Sequence, residues 1–191
     1  VNQDRVLEIF KETGALLEGH FVYASGRHGN RFLQAARVLQ FPNYTEELCK
    51  AMAEQFKDDA IDLVVGPATG GIVLAYETAR HVNTRAGFTE KDGEGGMYMG
   101  RGFACNPGTR ILIVEDIVTT GGSVKKTIDH LRARGGDIVG VSVLIDRSGG
   151  KADFDCTFRP LCEFQLDSWA EDECPDWLQE IPVMEPDELQ V

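Results

Sequence analysis

The run Ile111-Leu112-Ile113-Val114 leads into Glu115-Asp116-Ile117-Val118 and then into Thr119-Thr120-Gly121-Gly122-Ser123. No other stretch constrains the fold as much. An apolar, β-branched run reads as a strand buried on both faces of a parallel sheet, and the two carboxylates are expected to end it. Val124, Ile128 and Leu131 recur at helical spacing, so a helix starts near Ser123. A strand, a glycine-rich turn and a helix together make a phosphate cradle. Glycines let backbone N–H groups approach an anion, hydroxyls add donors, and the helix N-terminus adds partial positive charge. The acid pair would repel phosphate. The combination therefore suits a ligand with a phosphate at one end and hydroxyls or a metal beside it, such as a phosphorylated sugar. No Gly-x-x-x-x-Gly-Lys-[Ser/Thr] loop occurs, and no Gly-x-Gly-x-x-Gly follows a strand.

The remaining chain alternates in the same way. Val6, Leu7, Ile9 and Phe10 form a helical stripe that stops at Gly14. Residues 16–27 read as an extended segment broken at Ser25-Gly26, and residues 32–38 as another strand. A turn at Pro42-Asn43 precedes a helix to about Phe56. Residues 61–65 form a strand ending in Gly66-Pro67-Ala68-Thr69-Gly70-Gly71, followed by a helix over 72–80. Residues 86–89 read as a short strand, and 90–96 as a flexible polar loop. Residues 138–145 form a central strand that opens into Asp146-Arg147-Ser148-Gly149-Gly150.

Such alternation predicts an α/β fold with a doubly wound parallel sheet of about five strands. The chain is expected to be a single domain over 1–191, with 1–40 contributing a lid and about 175–191 a loose tail. The strand ends at Gly66, Glu115 and Asp146 are placed to converge on one crevice. Arg147 offers a planar fork suited to a carboxylate.

The formal net charge of −12 argues against nucleic acid or an anionic membrane as partner. No apolar run approaches the ~20 residues of a membrane span, and the polar start does not read as a signal peptide. A cytoplasmic location is expected. Five cysteines, an odd number, imply reduced thiols. Cys156, Cys162 and Cys174 cluster late without Cys-x-x-Cys spacing, leaving incidental thiols or a zinc site open. His20 and His28 read as polar surface residues.

The 111–123 segment resembles the phosphoribosyl pyrophosphate (PRPP) motif of the type I phosphoribosyltransferases: a hydrophobic strand, two acids, two variable residues, then Thr-x-Gly-x-[Ser/Thr]. Ser25-Gly26-Arg27 with Phe32 is similar to the N-terminal lid of the orotate phosphoribosyltransferases. The resemblance implies a type I phosphoribosyltransferase fold, its sheet flanked by helices and topped by a small N-terminal hood. The implied reaction transfers ribose 5-phosphate from PRPP to orotate, giving orotidine 5'-monophosphate and pyrophosphate, within pyrimidine biosynthesis. It also implies Mg2+ carried by the substrate without direct protein ligands, and a homodimer whose mobile loop closes on the neighbouring subunit's site.

The residue roles follow from the same resemblance. Glu115, Asp116 and Lys91 are the catalytic candidates. Glu115 and Asp116, with Ile117, Val118, Thr119, Thr120, Gly121, Gly122 and Ser123, bind PRPP. Ala68, Thr69, Gly70 and Gly71, with Lys91 and Arg101, bind pyrophosphate. Phe32, Thr119 and Arg147 bind orotate. Lys91-Asp92-Gly93 resembles the end of the family's loop in shortened form. Ala24 and Gly70 stand where many relatives carry Lys, so a purine-base phosphoribosyltransferase and a non-catalytic PRPP-sensing regulator stay open as alternatives.

Overall fold

The computed structural model describes residues 1–189. Helix α1 (Gln3–Glu12) is capped by Asn2, whose Oδ1 accepts from the Arg5 N–H at 2.9 Å. Its Val6, Ile9 and Phe10 are fully buried, and Gly14, at φ 64°, turns the chain out of it. Strands β1 (Leu16–Val22) and β2 (His28–Leu33) pair antiparallel. The strand expected over 32–38 stops at Leu33, and α2 (Ala36–Leu39) follows. There the helix preference of Ala, Arg and Leu prevails over the apolar run. Pro42 is not a separate turn; it opens α3 (Pro42–Glu54), where its fixed φ suits the first helical turn.

The βα succession continues through β3 (Leu63–Pro67), α4 (Gly70–Val82), β4 (Arg85–Lys91) and β5 (Met97–Tyr98). It closes with β6 (Arg110–Val118), α5 (Gly122–Ala133), β7 (Asp137–Asp146) and β8 (Thr157–Glu163). The strand order is β5-β4-β3-β6-β7-β8, with β5 antiparallel at one edge and the other five strands parallel. The chain is therefore α/β with a mostly parallel sheet.

Alternation along the central strands feeds two cores. Val64, Leu112, Val114 and Leu144 pack with Phe10, Leu48, Met52 and Leu74 from α1, α3 and α4. Leu63, Val65, Ile111, Ile113, Val141 and Val143 pack with Val124, Ile128 and Leu131 of α5. Each such buried aliphatic side chain contributes about 1.5–3 kcal/mol. Because both faces are covered, the strands read as continuous apolar runs. The order reverses between β3 and β6, and a crevice opens at the carboxyl ends of strands at such a switch point.

Three expectations change. The acid pair does not end its strand: β6 runs on to Val118, held by pairing of Ile117 with Ile145 and Val118 with Asp146. The polar loop is a hairpin, since β4 extends to Lys91 and pairs with β5; Asp92 Oδ1 accepts from the N–H groups of Glu94 and Gly96, both at 2.8 Å. The hood is not N-terminal alone, because β9 (Ser168–Trp169) joins β2 to give the order β1-β2-β9.

Nor does the described part of the C-terminal segment hang loose. Leu178 in α6 (Asp176–Gln179) is fully buried, Val183 bridges His20, and the Met184 N–H donates to the His20 carbonyl at 2.8 Å. Gln34 donates to Asp187 at 2.6 Å. Residues 190 and 191 of the expected tail lie outside the described residues. His20 is buried, not on the surface, with its Nε2 2.7 Å from His28 Nδ1. All five cysteines are free.

Candidate active site

Glu115 is buried and Asp116 nearly so, side by side near the carboxyl end of β6. The Asp116 N–H donates to Glu115 Oε1 at 3.0 Å, and the Ile117 N–H donates to Asp116 Oδ1 at 2.6 Å. Among the described residues neither carboxylate is ion-paired with a Lys or Arg. Burial pushes both acids above the usual carboxylate range, and the neighbouring Asp116 charge pushes Glu115 further. Two desolvated acceptors without a cation are poised for hydroxyl donors or a cation-bearing ligand.

Directly beyond, Gly121 sits at φ 74° as the N-cap of α5, and an added Cβ would lie 2.7 Å from the Phe154 ring. Only glycine suits that bend. The first-turn N–H groups of α5 have no acceptor within the helix. Residues 119–123 line a cavity of about 340 Å³ together with Glu115, Ile117, Val118, Lys91 and Lys126. Lys91 is carried there by β4, which is fixed to α5. Thr89 and Thr127 share a buried hydrogen bond at 2.7 Å, and His130 Nε2 accepts from the Met99 N–H at 3.1 Å. Burial holds His130 below its usual range, which favours this neutral acceptor.

The second glycine turn, at the end of β3, abuts the acids. A Cβ on Gly70 would stand 2.3 Å from Asp116 Oδ2, and one on Gly66 would stand 2.1 Å from the Gly71 carbonyl oxygen. A side chain in place of Gly70 would meet the Asp116 carboxylate, which would have to turn aside. The Ala68–Thr69 peptide is cis.

Arg147 follows β7, and its N–H donates to the Val118 carbonyl at 2.8 Å, next to the phosphate-type loop. Its Nε is buried without a hydrogen-bond partner, and the guanidinium lies over the Tyr23 ring at 5.6 Å. Asp146 is occupied elsewhere, with Oδ1 accepting from the Ser148 N–H at 2.7 Å. The aromatic row continues from Tyr23 to Phe32 at 6.4 Å and from Phe32 to Phe21 at 5.6 Å. The hood thus reaches the sheet through Tyr23 and Arg147. Arg27 of the Ser-Gly-Arg turn is spent on β9, bonding to Ser168 Oγ at 2.9 Å.

The structure brings Lys91, Glu115 and the 117–123 loop into one cavity, with Gly70 and Arg147 adjoining. It does not bring Arg101 there. That side chain pairs with Glu90 at 2.7 Å and covers Phe88. Sequence reasoning missed Tyr23 and Lys126; an aromatic just before the Ser-Gly turn was the available signal for Tyr23. A larger cleft of about 630 Å³, lined by Glu12, Arg37 and Asp187 among others, contains neither the glycine loops nor the acid pair.

A phosphoribosyl transferase domain model matches residues 35–175. An orotate phosphoribosyltransferase of Thermus thermophilus is 48% identical over 180 residues, covering 94% of this chain and 98% of that protein. One from Caldanaerobacter subterraneus subsp. tengcongensis is 44% identical over 186 residues, 97% of each chain. The crystal structure of orotate phosphoribosyltransferase from Aeropyrum pernix superposes with a TM-score of 0.69 at 26% identity, covering 83% of this chain and 93% of that one.

Proposed function

The chain belongs to the phosphoribosyltransferase family and, with its full-length relatives, to the orotate phosphoribosyltransferases; from that membership we propose how its own residues divide the reaction. It is a pentosyltransferase that moves ribose 5-phosphate from PRPP to orotate, forming orotidine 5'-monophosphate and pyrophosphate.

In this reading the 119–123 loop holds the 5-phosphate through backbone N–H groups and hydroxyls. That anchors PRPP by a group remote from the reacting carbon, where binding energy serves orientation. Glu115 and Asp116 accept from the ribose hydroxyls, and their field favours the positive charge that develops on the ribose ring. The backbone of 68–71 and the Lys91 ammonium stabilise the departing pyrophosphate. Arg147 grips the orotate carboxylate, with Phe32 and Tyr23 covering the ring.

Type I phosphoribosyltransferases generally use Mg2+ with PRPP. The desolvated acid pair, unpaired with Lys or Arg among the described residues, fits such a group, and Glu115 and Asp116 would help to hold the Mg2+-bearing substrate. When bound, Mg2+ supplies charge neutralisation of the pyrophosphate. The reading extends to a homodimer in the cytoplasm, where five free thiols stay reduced. Lys91 serves its own subunit's site rather than a neighbour's.

One observation carries the base assignment: a buried, unpartnered Arg147 Nε beside an aromatic row and one backbone bond from the phosphate-type loop. Incubation with PRPP, Mg2+ and orotate should release pyrophosphate and orotidine 5'-monophosphate in equal amounts. Adenine or hypoxanthine in place of orotate should release neither nucleotide nor pyrophosphate, and turnover of a purine base at a comparable rate would overturn the assignment.

A further inference from the structure

The hood holds a second group of ligand-type side chains, separate from the acid pair. His20 on β1, His28 on β2 and Cys174 of the C-terminal segment bring their ligand atoms within 4.8 Å of one another. His20 and Cys174 are buried and His28 is half-buried. The two histidines lie eight residues apart on one hairpin and Cys174 comes from the far end of the chain, which is why the spacing in sequence carries no metal-site signature.

The His20 ring is oriented for a task. Its Nδ1 lies 2.8 Å from the Ile181 carbonyl oxygen, a contact only an N–H can make. The proton therefore sits on Nδ1, and Nε2 presents its lone pair towards His28 Nδ1 at 2.7 Å. A carbonyl on the far nitrogen is the device by which metal-bound imidazoles fix their tautomer. The backbone contributes as well. The β1–β2 register slips between Glu18 and Phe21, and successive residues His20 and Phe21 are both buried. Phe21 meets Phe32 while His20 meets His28. Irregularities of this kind re-aim a side chain.

We propose that His20, His28 and Cys174 form a binding site for a borderline-soft divalent cation, Zn2+ in the first instance, that pins the hood to the C-terminal segment. Two imidazole nitrogens and a thiolate are a donor set for Zn2+, whereas Mg2+ takes oxygen. In a tetrahedral site with Zn–N of about 2.0–2.1 Å and Zn–S of about 2.3 Å, donor atoms stand roughly 3.3–3.6 Å apart. The imidazoles open by about 0.6–0.7 Å from their hydrogen bond, and the sulfur closes on them. His28 passes to the tautomer protonated on Nε2, exchanging its Nδ1 proton with solvent without net release, the Cys174 thiol loses one proton to solvent, and water takes the fourth position. The ion then joins β1, β2 and the segment after β9.

The test uses the full-length, reduced protein stripped by a chelator and kept in excess Mg2+. Zn2+ is titrated against a chromophoric chelator, and Co2+ is titrated separately for thiolate-to-metal charge-transfer absorption. The expected result is one Zn2+ per chain, a Co2+–thiolate band, and an unfolding temperature raised by Zn2+. Cys174→Ser should abolish the band, and His28→Gln should weaken Zn2+ binding at least about tenfold. A wild-type protein without the band overturns the site, as does a Cys174→Ser variant that keeps it. Should either variant fail to fold, the wild-type Co2+ spectrum is compared with that of Cys156→Ser, since Cys156 is the one free thiol that is not buried: a band that survives the substitution supports the site, and one that disappears overturns it.

Discussion

Arg147 shows how much one side chain can decide. Its guanidinium is held below its usual range by burial and lies over the Tyr23 ring. A desolvated cation in search of an anion gains more from a carboxylate than a solvated one would. Arg147→Ala should therefore cost about 2–5 kcal/mol of orotate binding, at least about 30-fold in KM for orotate. The KM for PRPP should change by less than about threefold, and steady-state kinetics with each substrate varied would check the split. Asp116 makes the opposite trade. Its raised position means that the native state holds its proton more tightly than the unfolded chain, so stability falls as pH rises above the ordinary carboxylate range. Asp116→Asn should stabilise the ligand-free protein at neutral pH by ~1–3 kcal/mol while lowering turnover at least about 100-fold. The stability gain should vanish at pH values low enough to protonate the wild-type acid, as thermal unfolding across pH would reveal. That Arg147 and the acid pair lie near the carboxyl ends of their strands was legible because each follows an apolar run and precedes a glycine turn. Tyr23 was not, since an aromatic beside a turn is equally at home in a core.

At the scale of elements, β6 and α5 were legible because an apolar run and a helical stripe meet at a glycine turn that only one geometry satisfies. The hairpin was not. Residues 90–96 are polar and glycine-rich, and only pairing of Glu90 with Tyr98 and Lys91 with Met97 reveals that β4 continues to Lys91 before the chain turns back. The tail failed for a similar reason. Its acidic, proline-punctuated composition hides docking that depends on single contacts such as Leu178 and Met184. The β6–α5 turn offers the sharpest test of an element. Gly121→Ala would place a methyl against Phe154 in a left-handed bend. The expected cost is ~1–3 kcal/mol of stability. The KM for PRPP should rise at least about tenfold with little change for orotate, because the N-terminus of α5 would no longer face the 5-phosphate squarely. Equal losses for both substrates would assign Gly121 to the fold alone.

The proposed chemistry lies at the switch point between β3 and β6, which the two parts of the molecule approach from different directions: the sheet carries the glycine loops and the acids, and the hood carries the aromatic row. Lys91 is the residue whose assignment depends on subunit arrangement. It reaches the cavity from β4 of the same chain, through a strand anchored to α5 by the Thr89–Thr127 hydrogen bond. The alternative, a loop acting across a dimer interface, can be separated by complementation. Chains carrying Lys91→Ala and chains carrying Arg147→Ala would be co-expressed, and their mixed assemblies compared with each variant alone. If Lys91 serves its own subunit, every site in a mixed dimer lacks one of the two residues, and activity stays at the level of the single variants. If it acts in trans, half the sites in mixed dimers regain both, restoring about a quarter of wild-type activity in a random mixture. The short, hydrogen-bonded hairpin at Asp92 leaves β4 little freedom to swing outward, so no recovery is the expected outcome.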